Sequence, residues 1–383
     1  DATEGPFMKC VAGSLPAVES SQPALLMYTS GTTGTPKGVL LTHANLMHAA
    51  RSMAAWHALT QADIVLSSLP IYHINGQVIS TITPFVSGGS VVAPHAFSVS
   101  NWWSLAIQYQ CTWINMVPTI IAYLINAAKS GGALPSRDNL KRIRFGRSAS
   151  APLPPEHHRE FEALFGITVI EGMGMTESAS MVFCNPHDES RRYGSPGLPC
   201  GVEAKVIDPE GKVLGNNAVG EICLRGGNVL SAYYKAEAET AKAFDKDGWL
   251  KTGDLGRLDD EGFLSVTGRL KEMYKTGGTN VYPAEVEQFL IQHPAIALVT
   301  IVGVPDPRLD EVGFAFVQIH PNQQLTHAEL RAFCKGKLAD YKVPRYLKVL
   351  AAIPRTTTGK IQRSALLELA SAELASAAQS MPG

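Results

Sequence analysis

Short apolar runs alternate with segments of helical spacing through the first half of the chain. The runs that are rich in β-branched and aromatic residues, and therefore predict strands, are 64–69, 90–93, 113–117, 142–145 and 167–170. Between them, apolar residues recur every three or four positions at 102–109, 119–128 and 155–165, which predicts helices. Repeated β-α units of this length predict an α/β fold with a mostly parallel sheet covered by helices.

The pattern changes near residue 193. After a turn-rich segment, short strand-like runs at 204–207, 220–225, 256–258 and 263–267 predict a small antiparallel β-barrel. From Lys271 onward, two helical segments and a strand pair predict a compact α+β unit, and the last dozen residues are expected to fray. We therefore divide the chain into an α/β core at 1–192, a barrel-like subdomain at 193–270 and a C-terminal α+β domain at 271–383.

Composition narrows the class of protein. The 383 residues are 45% hydrophobic and 17% charged with a net charge of −1, so nothing favours binding to nucleic acid or to an anionic membrane. The six cysteines form no C-x-x-C pair, which argues against structural zinc and disulfides and fits a reducing compartment. No apolar run reaches the ~20 residues that span a bilayer. We expect a cytoplasmic enzyme.

Residues 28–38, Tyr-Thr-Ser-Gly-Thr-Thr-Gly-Thr-Pro-Lys-Gly, combine hydroxyls, glycines and one lysine. Glycines let the backbone approach an anion, and N–H groups, hydroxyls and a lysine donate to phosphate oxygens. The apolar run 24–27 before it predicts a buried strand, and residues 40–55 after it predict a helix. A flexible linker is the alternative, but linkers are rarely flanked by two apolar elements.

This run resembles the phosphate loop of the adenylate-forming superfamily, which includes acyl- and aryl-CoA synthetases, luciferase and the adenylation domains of peptide synthetases. The resemblance implies ATP contacts from Thr29, Ser30, Gly31, Thr32, Thr33, Gly34 and Lys37. In that family the loop follows roughly 150 or more residues, whereas here it follows 27, so we expect the 1–192 core to be N-terminally incomplete.

Residues 171–177, Glu-Gly-Met-Gly-Met-Thr-Glu, follow a strand and resemble the family motif E-G-Y-G-M-T-E. The resemblance implies nucleotide contacts from Glu171, Gly172, Met173, Gly174 and Met175, an α-phosphate contact from Thr176 and a Mg²⁺ ligand in Glu177. A single carboxylate suffices for a cation that bridges phosphate oxygens. Met173 departs from the family, which places an aromatic ring there. A Gly-rich turn with a solvated glutamate is the alternative.

Three further segments resemble nucleotide-binding motifs of the family. Ser150 and Ala151, in Arg147-Ser-Ala-Ser-Ala-Pro-Leu153, would flank adenine, although small residues also serve helix–strand packing. Asp254 would bind both ribose hydroxyls, and Arg269 would be a second ribose or phosphate contact. A turn aspartate and a salt-bridged arginine are the alternatives.

The remaining motifs concern catalysis and domain movement. His73, in a P-x-Y-H segment, would line the carboxylate and gate the thiol tunnel, although a lone histidine is often structural. Lys360, in Thr-Gly-Lys-Ile-Gln-Arg, would contact the reacting carboxylate and α-phosphate. Lys271 resembles the family's hinge, about which Gly277 and Gly278 would replace Lys360 at the site.

The sequence thus indicates an AMP-forming ligase that uses ATP, Mg²⁺ and CoA to convert a carboxylic acid into a thioester. The alternatives are an adenylation enzyme that loads a carrier protein, amine or hydroxyl, and a nucleotide-binding but inactive fragment. Oligomeric state stays open, with a homodimer as one option. The pocket for the acid is predicted to be walled by His73, Ser148, Gly172, Met175, Ser180 and Met181. Arg147 and Ser148 loosely resemble oxalate-activating relatives, which favours a small or polar acid.

Overall fold

The computed structural model of this chain describes residues 17–29, 36–131, 135–355 and 361–379. The strands are β1 (Pro23–Thr29), β2 (Lys37–Thr42), β3 (Ile64–Ser67), β4 (Ser90–Val92), β5 (Trp113–Met116), β6 (Phe145–Ser148), β7 (Val169–Met175), β8 (Ser180–Cys184), β9 (Leu198–Pro199), β10 (Glu203–Ile207), β11 (Gly220–Arg225), β12 (Ala232–Tyr233), β13 (Leu250–Leu258), β14 (Leu264–Arg269), β15 (Tyr274–Thr276), β16 (Thr279–Val281), β17 (Ile296–Asp306), β18 (Asp310–Ile319) and β19 (Tyr346–Val349). The α-helices are α1 (His43–Trp56), α2 (Thr83–Val86), α3 (Val99–Gln108), α4 (Pro118–Lys129), α5 (Arg137–Leu140), α6 (Pro155–Phe165), α7 (Glu237–Ala243), α8 (Pro283–Leu290), α9 (His327–Cys334) and α10 (Arg363–Gln379). A π-helix covers Asn75–Ile82, and 3₁₀ turns cover Thr176–Ser178 and Asp340–Lys342.

The largest sheet has the strand order β4-β3-β5-β6-β7-β8-β9. Its pairs from β4 to β7 are parallel, and β8 and β9 add antiparallel pairs at one edge. Both faces are covered, because Trp113 packs with α1 and the π-helix, whereas Ile114 packs with α3, α4 and α6. The predicted parallel sheet with covering helices is therefore confirmed.

The flanks of the predicted phosphate loop differ from the sequence prediction. Residues 37–42 pair antiparallel with β1 from Thr29↔Lys37 to Pro23↔Thr42, so the loop joins two strands rather than a strand and a helix. Helix α1 begins only at His43, where Thr42 and Asn45 form a capping box. The predicted buried strand was also wrong, because within β1 only Met27 is buried.

The barrel-like region forms a four-stranded antiparallel sheet with the order β10-β11-β13-β14. Its apolar face packs against Val182 and Phe183 of β8, so the two sheets meet beside the end of β7. In the part of the chain that the structure describes, β10 and β14 are not paired with each other, so the sheet is open.

The C-terminal region is a sheet of five strands, β16-β15-β18-β17, in which β19 pairs parallel with β18. Helices α8 and α9 cover one face and α10 covers the other. Helix α10 runs to Gln379, so much of the predicted frayed tail is helical. None of the described helices is long and apolar enough to cross a membrane.

Candidate active site

The predicted phosphate loop and the predicted catalytic lysine lie outside the described residues. Ser30, Gly31, Thr32, Thr33, Gly34 and Lys360 therefore have no structural description here. Thr29 and Lys37, which bracket the loop, are register partners and mark where it leaves the sheet.

Lys37 belongs to a cluster of polar side chains at the end of β7. Its ammonium forms an ion pair with Glu239 of α7 and lies 5.4 Å from the ring centroid of Tyr233. The Tyr233 hydroxyl donates a hydrogen bond of 3.1 Å to Oε1 of Glu177. Burial, followed by the nearby Glu177 carboxylate, raises the pKa of Tyr233. Lys37 and Glu177, predicted to serve phosphate and Mg²⁺, are thus linked through Tyr233.

Thr176 and Glu177 lie in the 3₁₀ turn that follows β7, and both are half-buried. No three His, Cys, Asp or Glu side chains among the described residues come together as a metal site. A cation at Glu177 would therefore obtain its other ligands from phosphate and water, as Mg²⁺ commonly does.

Strand β7 is closely packed against β8, and its glycines allow this. A Cβ on Gly174 would lie 2.0 Å from the Ser180 carbonyl oxygen, and one on Gly172 would lie 2.6 Å from Cε of Met181. Met173 and Met175 are half-buried and pack against the cluster formed with the antiparallel sheet. The adenine contact predicted for Met173 stays a prediction.

Glu171 is buried and does not present its carboxylate to solvent. Its Oε1 accepts a hydrogen bond of 3.0 Å from the Leu153 backbone N–H, and Oε2 has no hydrogen-bond partner among the described residues. Burial raises the pKa of Glu171 to about 8. Glu171 thereby ties the segment after Ser150 and Ala151 to β7, in addition to the nucleotide contact predicted for it.

The predicted ribose site contains an ion pair between register partners on adjacent strands. Nε of Arg269 lies 2.8 Å from Oδ1 of Asp254, which is buried, while the Arg269 side chain is half exposed. Burial raises the pKa of Asp254 against the opposing charge of Arg269, and the Glu272 and Glu177 carboxylates raise it further. Glu177 is therefore near enough to Asp254 for the charges of the two carboxylates to interact.

The predicted hinge is connected to the C-terminal sheet by an arginine. Arg363 Nε lies 3.1 Å from Oε2 of Glu272, the residue after Lys271, and its Nη2 donates to both oxygens of Glu287 at 2.9 and 3.1 Å. Gly277 and Gly278 form the turn between β15 and β16 with φ of +57° and +80°. The structure places them within the C-terminal sheet, where the Gly277 N–H donates to the Leu309 carbonyl.

A second polar cluster lies beside the predicted acid pocket, and the sequence analysis identified only part of it. His73 lies two residues before the first residue of the π-helix, and the Asn75 N–H donates to its Nδ1 at 3.4 Å. The Asn75 side chain donates to Ser150 Oγ at 3.1 Å and accepts from Arg147 Nη1 at 3.0 Å. Ser148 is buried and its hydroxyl has no partner among the described residues. Tyr233, Glu239, Asn75 and Asn115 were missed, because each contacts residues far away in the sequence.

Two family matches cover most of the chain. Residues 5–234 match the AMP-binding enzyme family, and residues 285–360 match the AMP-binding enzyme C-terminal domain. The chain belongs to the AMP-binding enzyme family. A sulfoacetate–CoA ligase of Cupriavidus necator is 49% identical over 93% of this chain and 69% of that protein, and an oxalate–CoA ligase of Arabidopsis thaliana is 35% identical over 89% of this chain and 66% of that protein. The chain thus spans about two thirds of the length of these relatives.

Solved structures of CoA-ligase relatives have the same fold as this chain. ATP-bound MatB from Rhodopseudomonas palustris matches with a TM-score of 0.87 and 32% identity over 94% of this chain and 70% of that one. The o-succinylbenzoate CoA synthetase of Bacillus subtilis, solved with ATP and magnesium, matches with a TM-score of 0.82 and 34% identity over 94% of this chain and 74% of that one. The predicted family, α/β fold class and CoA-ligase class are confirmed, whereas the domain boundaries and residue roles stay predictions.

The buried Glu171 generates a stability prediction. Because its pKa in the folded protein is about 8, against 4.5 for an ordinary glutamate, the folded state binds more protons than the unfolded state between these values. The free energy of unfolding should therefore fall as the pH rises from about 5 to about 8, by at most about 1.4 kcal/mol per pH unit. Glu171→Gln keeps an oxygen acceptor for Leu153 and should remove this slope in urea unfolding.

Glu162→Gln is the matched control. Hydrogen bonds from His158, Tyr193 and the Val169 N–H outweigh burial and lower the pKa of Glu162 to about 2. The ionised Glu162 carboxylate therefore stabilises the fold at every pH above the pKa of Glu162 in the unfolded state, and this stabilisation is lost only as the pH falls below that value. Glu162→Gln should leave the pH dependence of the free energy of unfolding above about pH 5 unchanged. An unchanged slope in Glu171→Gln would contradict a buried, neutral Glu171.

Proposed function

We propose that this protein activates a short carboxylic acid with ATP, giving acyl-AMP and pyrophosphate, and then transfers the acyl group to CoA with release of AMP. The observation that carries this proposal is the convergence of Lys37, Glu177 and the Asp254–Arg269 pair around the end of β7. These residues supply a cation for phosphate, a carboxylate for a metal and a carboxylate for ribose hydroxyls, which are the groups that an adenylate presents.

In the first half-reaction the chain binds and orients two anionic reactants. Lys37 releases Glu239, with which it forms an ion pair, to contact phosphate, and Thr176, in the turn after β7, donates its hydroxyl to the α-phosphate. Glu177 would hold Mg²⁺, which would supply positive charge to neutralise the phosphate oxygens. Lys360 contacts the attacking carboxylate and the α-phosphate, so its contribution is positional and electrostatic.

In the second half-reaction the C-terminal domain turns about Lys271. Gly277 and Gly278 then take the place of Lys360, and the CoA thiol attacks the acyl carbon with AMP as the leaving group. Because Arg363 binds Glu272, a rotation at Lys271 carries the segment after the hinge with the C-terminal sheet. His73, which accepts a hydrogen bond from the Asn75 N–H at the start of the π-helix, gates the approach of the thiol.

The acid is proposed from the relatives. Sulfoacetate, the acid in the name of the 49% identical ligase, is the first candidate, and oxalate is the second. Both are short acids with a second anionic group.

Pyrophosphate release with ATP, Mg²⁺ and sulfoacetate, followed by mass spectrometry of the products with CoA present, tests the proposal. We expect acid-dependent pyrophosphate and sulfoacetyl-CoA. Acyl-AMP formation without a CoA thioester would instead support a carrier-protein, amine or hydroxyl acceptor. Nucleotide binding without pyrophosphate release from any acid would show an inactive nucleotide-binding protein.

Lys360→Ala should lower acyl-AMP formation by about 10²–10³-fold, because it removes a contact made in one transition state. Thioester formation from supplied acyl-AMP and CoA should be largely unchanged. Lys335→Ala, an exposed lysine of the same region, is the control and should change neither rate. Equal losses in both half-reactions would contradict domain rotation.

Glu177→Gln should raise the Mg²⁺ concentration needed for half-maximal pyrophosphate release and lower the maximal rate, because an amide is a weaker ligand for a hard cation. The melting temperature should stay close to that of the unaltered protein. Glu237→Gln, an exposed glutamate of nearby α7, should leave the Mg²⁺ requirement unchanged. A collapse of the melting temperature without a change in Mg²⁺ dependence would assign Glu177 a structural role instead.

A further inference from the structure

Arg147 is a fully buried arginine, with 0% of its surface exposed, at the carboxyl end of β6. Among the described residues it has no carboxylate partner. Nη1 donates to two neutral amide oxygens, of Asn75 at 3.0 Å and of Asn115 at 2.9 Å. Nη2 lies 3.4 Å from the Met181 thioether, a weak acceptor, and Nε has no partner. The cationic guanidinium is thus surrounded by neutral groups.

Burying an uncompensated guanidinium lowers the stability of the folded protein, so a purely structural role does not account for Arg147. A buried charge costs several kcal/mol unless an opposite charge compensates it, and a neutral amide could make similar hydrogen bonds to Asn75 and Asn115. The donors that lack a good acceptor, Nε and Nη2, are those that an anion would bind in the bidentate manner typical of arginine.

The neighbours of Arg147 place this uncompensated charge among the residues predicted to wall the acid pocket. Arg147 is the register partner of Ile170 on β7, and Gly172 lies two residues further along the same strand. Strand geometry separates Arg147 and Gly172 by roughly 8 Å at Cα. Met181 contacts Arg147 Nη2 and also fills the space above Gly172, where a Cβ would lie 2.7 Å from its sulfur. A methionine is a flexible occupant of the position beside the guanidinium.

The polar network around Arg147 also reaches the surface. Asn75 connects the guanidinium to Ser150, which is exposed and belongs to the segment predicted to flank adenine. Asn115 donates to Ser80 at 2.7 Å and to Asn75 Oδ1 at 3.1 Å, and Ser80 donates to Ser67 at 2.8 Å. Both amides that hold Arg147 are therefore themselves hydrogen-bonded. The guanidinium is therefore rigidly placed between the π-helix and the carboxyl end of the sheet.

We infer that Arg147 binds the second anionic group, a sulfonate or a carboxylate, of the acid that the enzyme activates. This inference rests on the proposed function and deepens it. The anion displaces the Met181 thioether and accepts from Nη2 and Nε, while the carboxylate to be adenylated points toward Thr176. Arg147 is thus the specificity-determining residue that excludes fatty acids and other acids with an apolar end, because these would leave the buried charge uncompensated.

Sulfoacetate and tert-butylacetate are the acids that test this inference, because sulfonate and tert-butyl groups are both tetrahedral and differ chiefly in charge. The measurement is kcat/KM for pyrophosphate release with each acid. In the unaltered protein we expect sulfoacetate to be preferred by about 100-fold or more. Arg147→Met should abolish most of this preference by loss of the sulfoacetate reaction, and Arg147→Lys should restore part of it.

Arg144→Met is the matched control, because Arg144 lies just before the same strand and is paired with Asp63 at 2.9 Å. It should leave the ratio of the two acids unchanged. If Arg147→Met fails to fold, the comparison uses Arg147→Lys and the rise in melting temperature that each acid causes in the unaltered protein. Malonate, also compared with tert-butylacetate, distinguishes a carboxylate from a sulfonate as the preferred anion. A malonate-to-tert-butylacetate ratio of kcat/KM above that of sulfoacetate supports the same site and identifies carboxylate as its ligand.

Equal losses with both acids in the Arg147 variants would overturn the inference and show that Arg147 only positions the network. An unaltered protein that prefers tert-butylacetate would also overturn it, although the proposed ligase function would stand. The absence of pyrophosphate release with every acid would instead refute the proposed function itself. The two failures are therefore distinguishable.

Discussion

The hydrogen bonds from Arg147 to Asn75 and Asn115 join the central sheet to the π-helix, and the acid side of the site depends on that junction. They fix the side chain of Asn75, which donates a hydrogen bond to Ser150 Oγ. The backbone N–H of Asn75 donates to Nδ1 of His73. A π-helix is a rare conformation that concentrates at functional sites, because its wider turn costs stability. In this protein the π-helix places Asn75 in the buried polar network with Arg147 and Asn115, and these hydrogen bonds would be absent from a helix with an apolar face.

Strand β7 connects the acid side to the nucleotide side. Its glycines bring it close to β8, its Glu171 carboxyl holds the segment after Ser150, and its end presents Thr176 and Glu177. On the nucleotide side, burial and then the Glu272 and Glu177 carboxylates raise the pKa of Asp254, so these carboxylates lie close enough to interact. In the proposed function, a metal ion and the cations Lys37 and Arg269 offset the charge of these carboxylates when a polyphosphate binds, whereas on the acid side Arg147 supplies the cation and the substrate supplies the anion.

The sequence predicted what depends on local pattern. Apolar runs that alternate with helical spacing identified the parallel sheet, and the glycine- and hydroxyl-rich segments identified the nucleotide motifs. The exposed β1 was misjudged because an apolar run does not reveal whether its partner is a central strand or an edge hairpin. The sequence analysis did not predict the π-helix of Asn75–Ile82, and Tyr233 and Glu239 reach Glu177 and Lys37 only through tertiary structure. For Arg147, the sequence offered one signal, the loose resemblance of Arg147 and Ser148 to oxalate-activating relatives.

The most direct test of the account is a crystal structure of the protein with a non-hydrolysable sulfoacetyl-adenylate analogue. We expect sulfonate oxygens within about 3.2 Å of Arg147 Nε and Nη2, the Met181 sulfur displaced, and the adenylate ribose bound to Asp254. A sulfonate that lies elsewhere, with the Met181 sulfur still on Nη2, would contradict it.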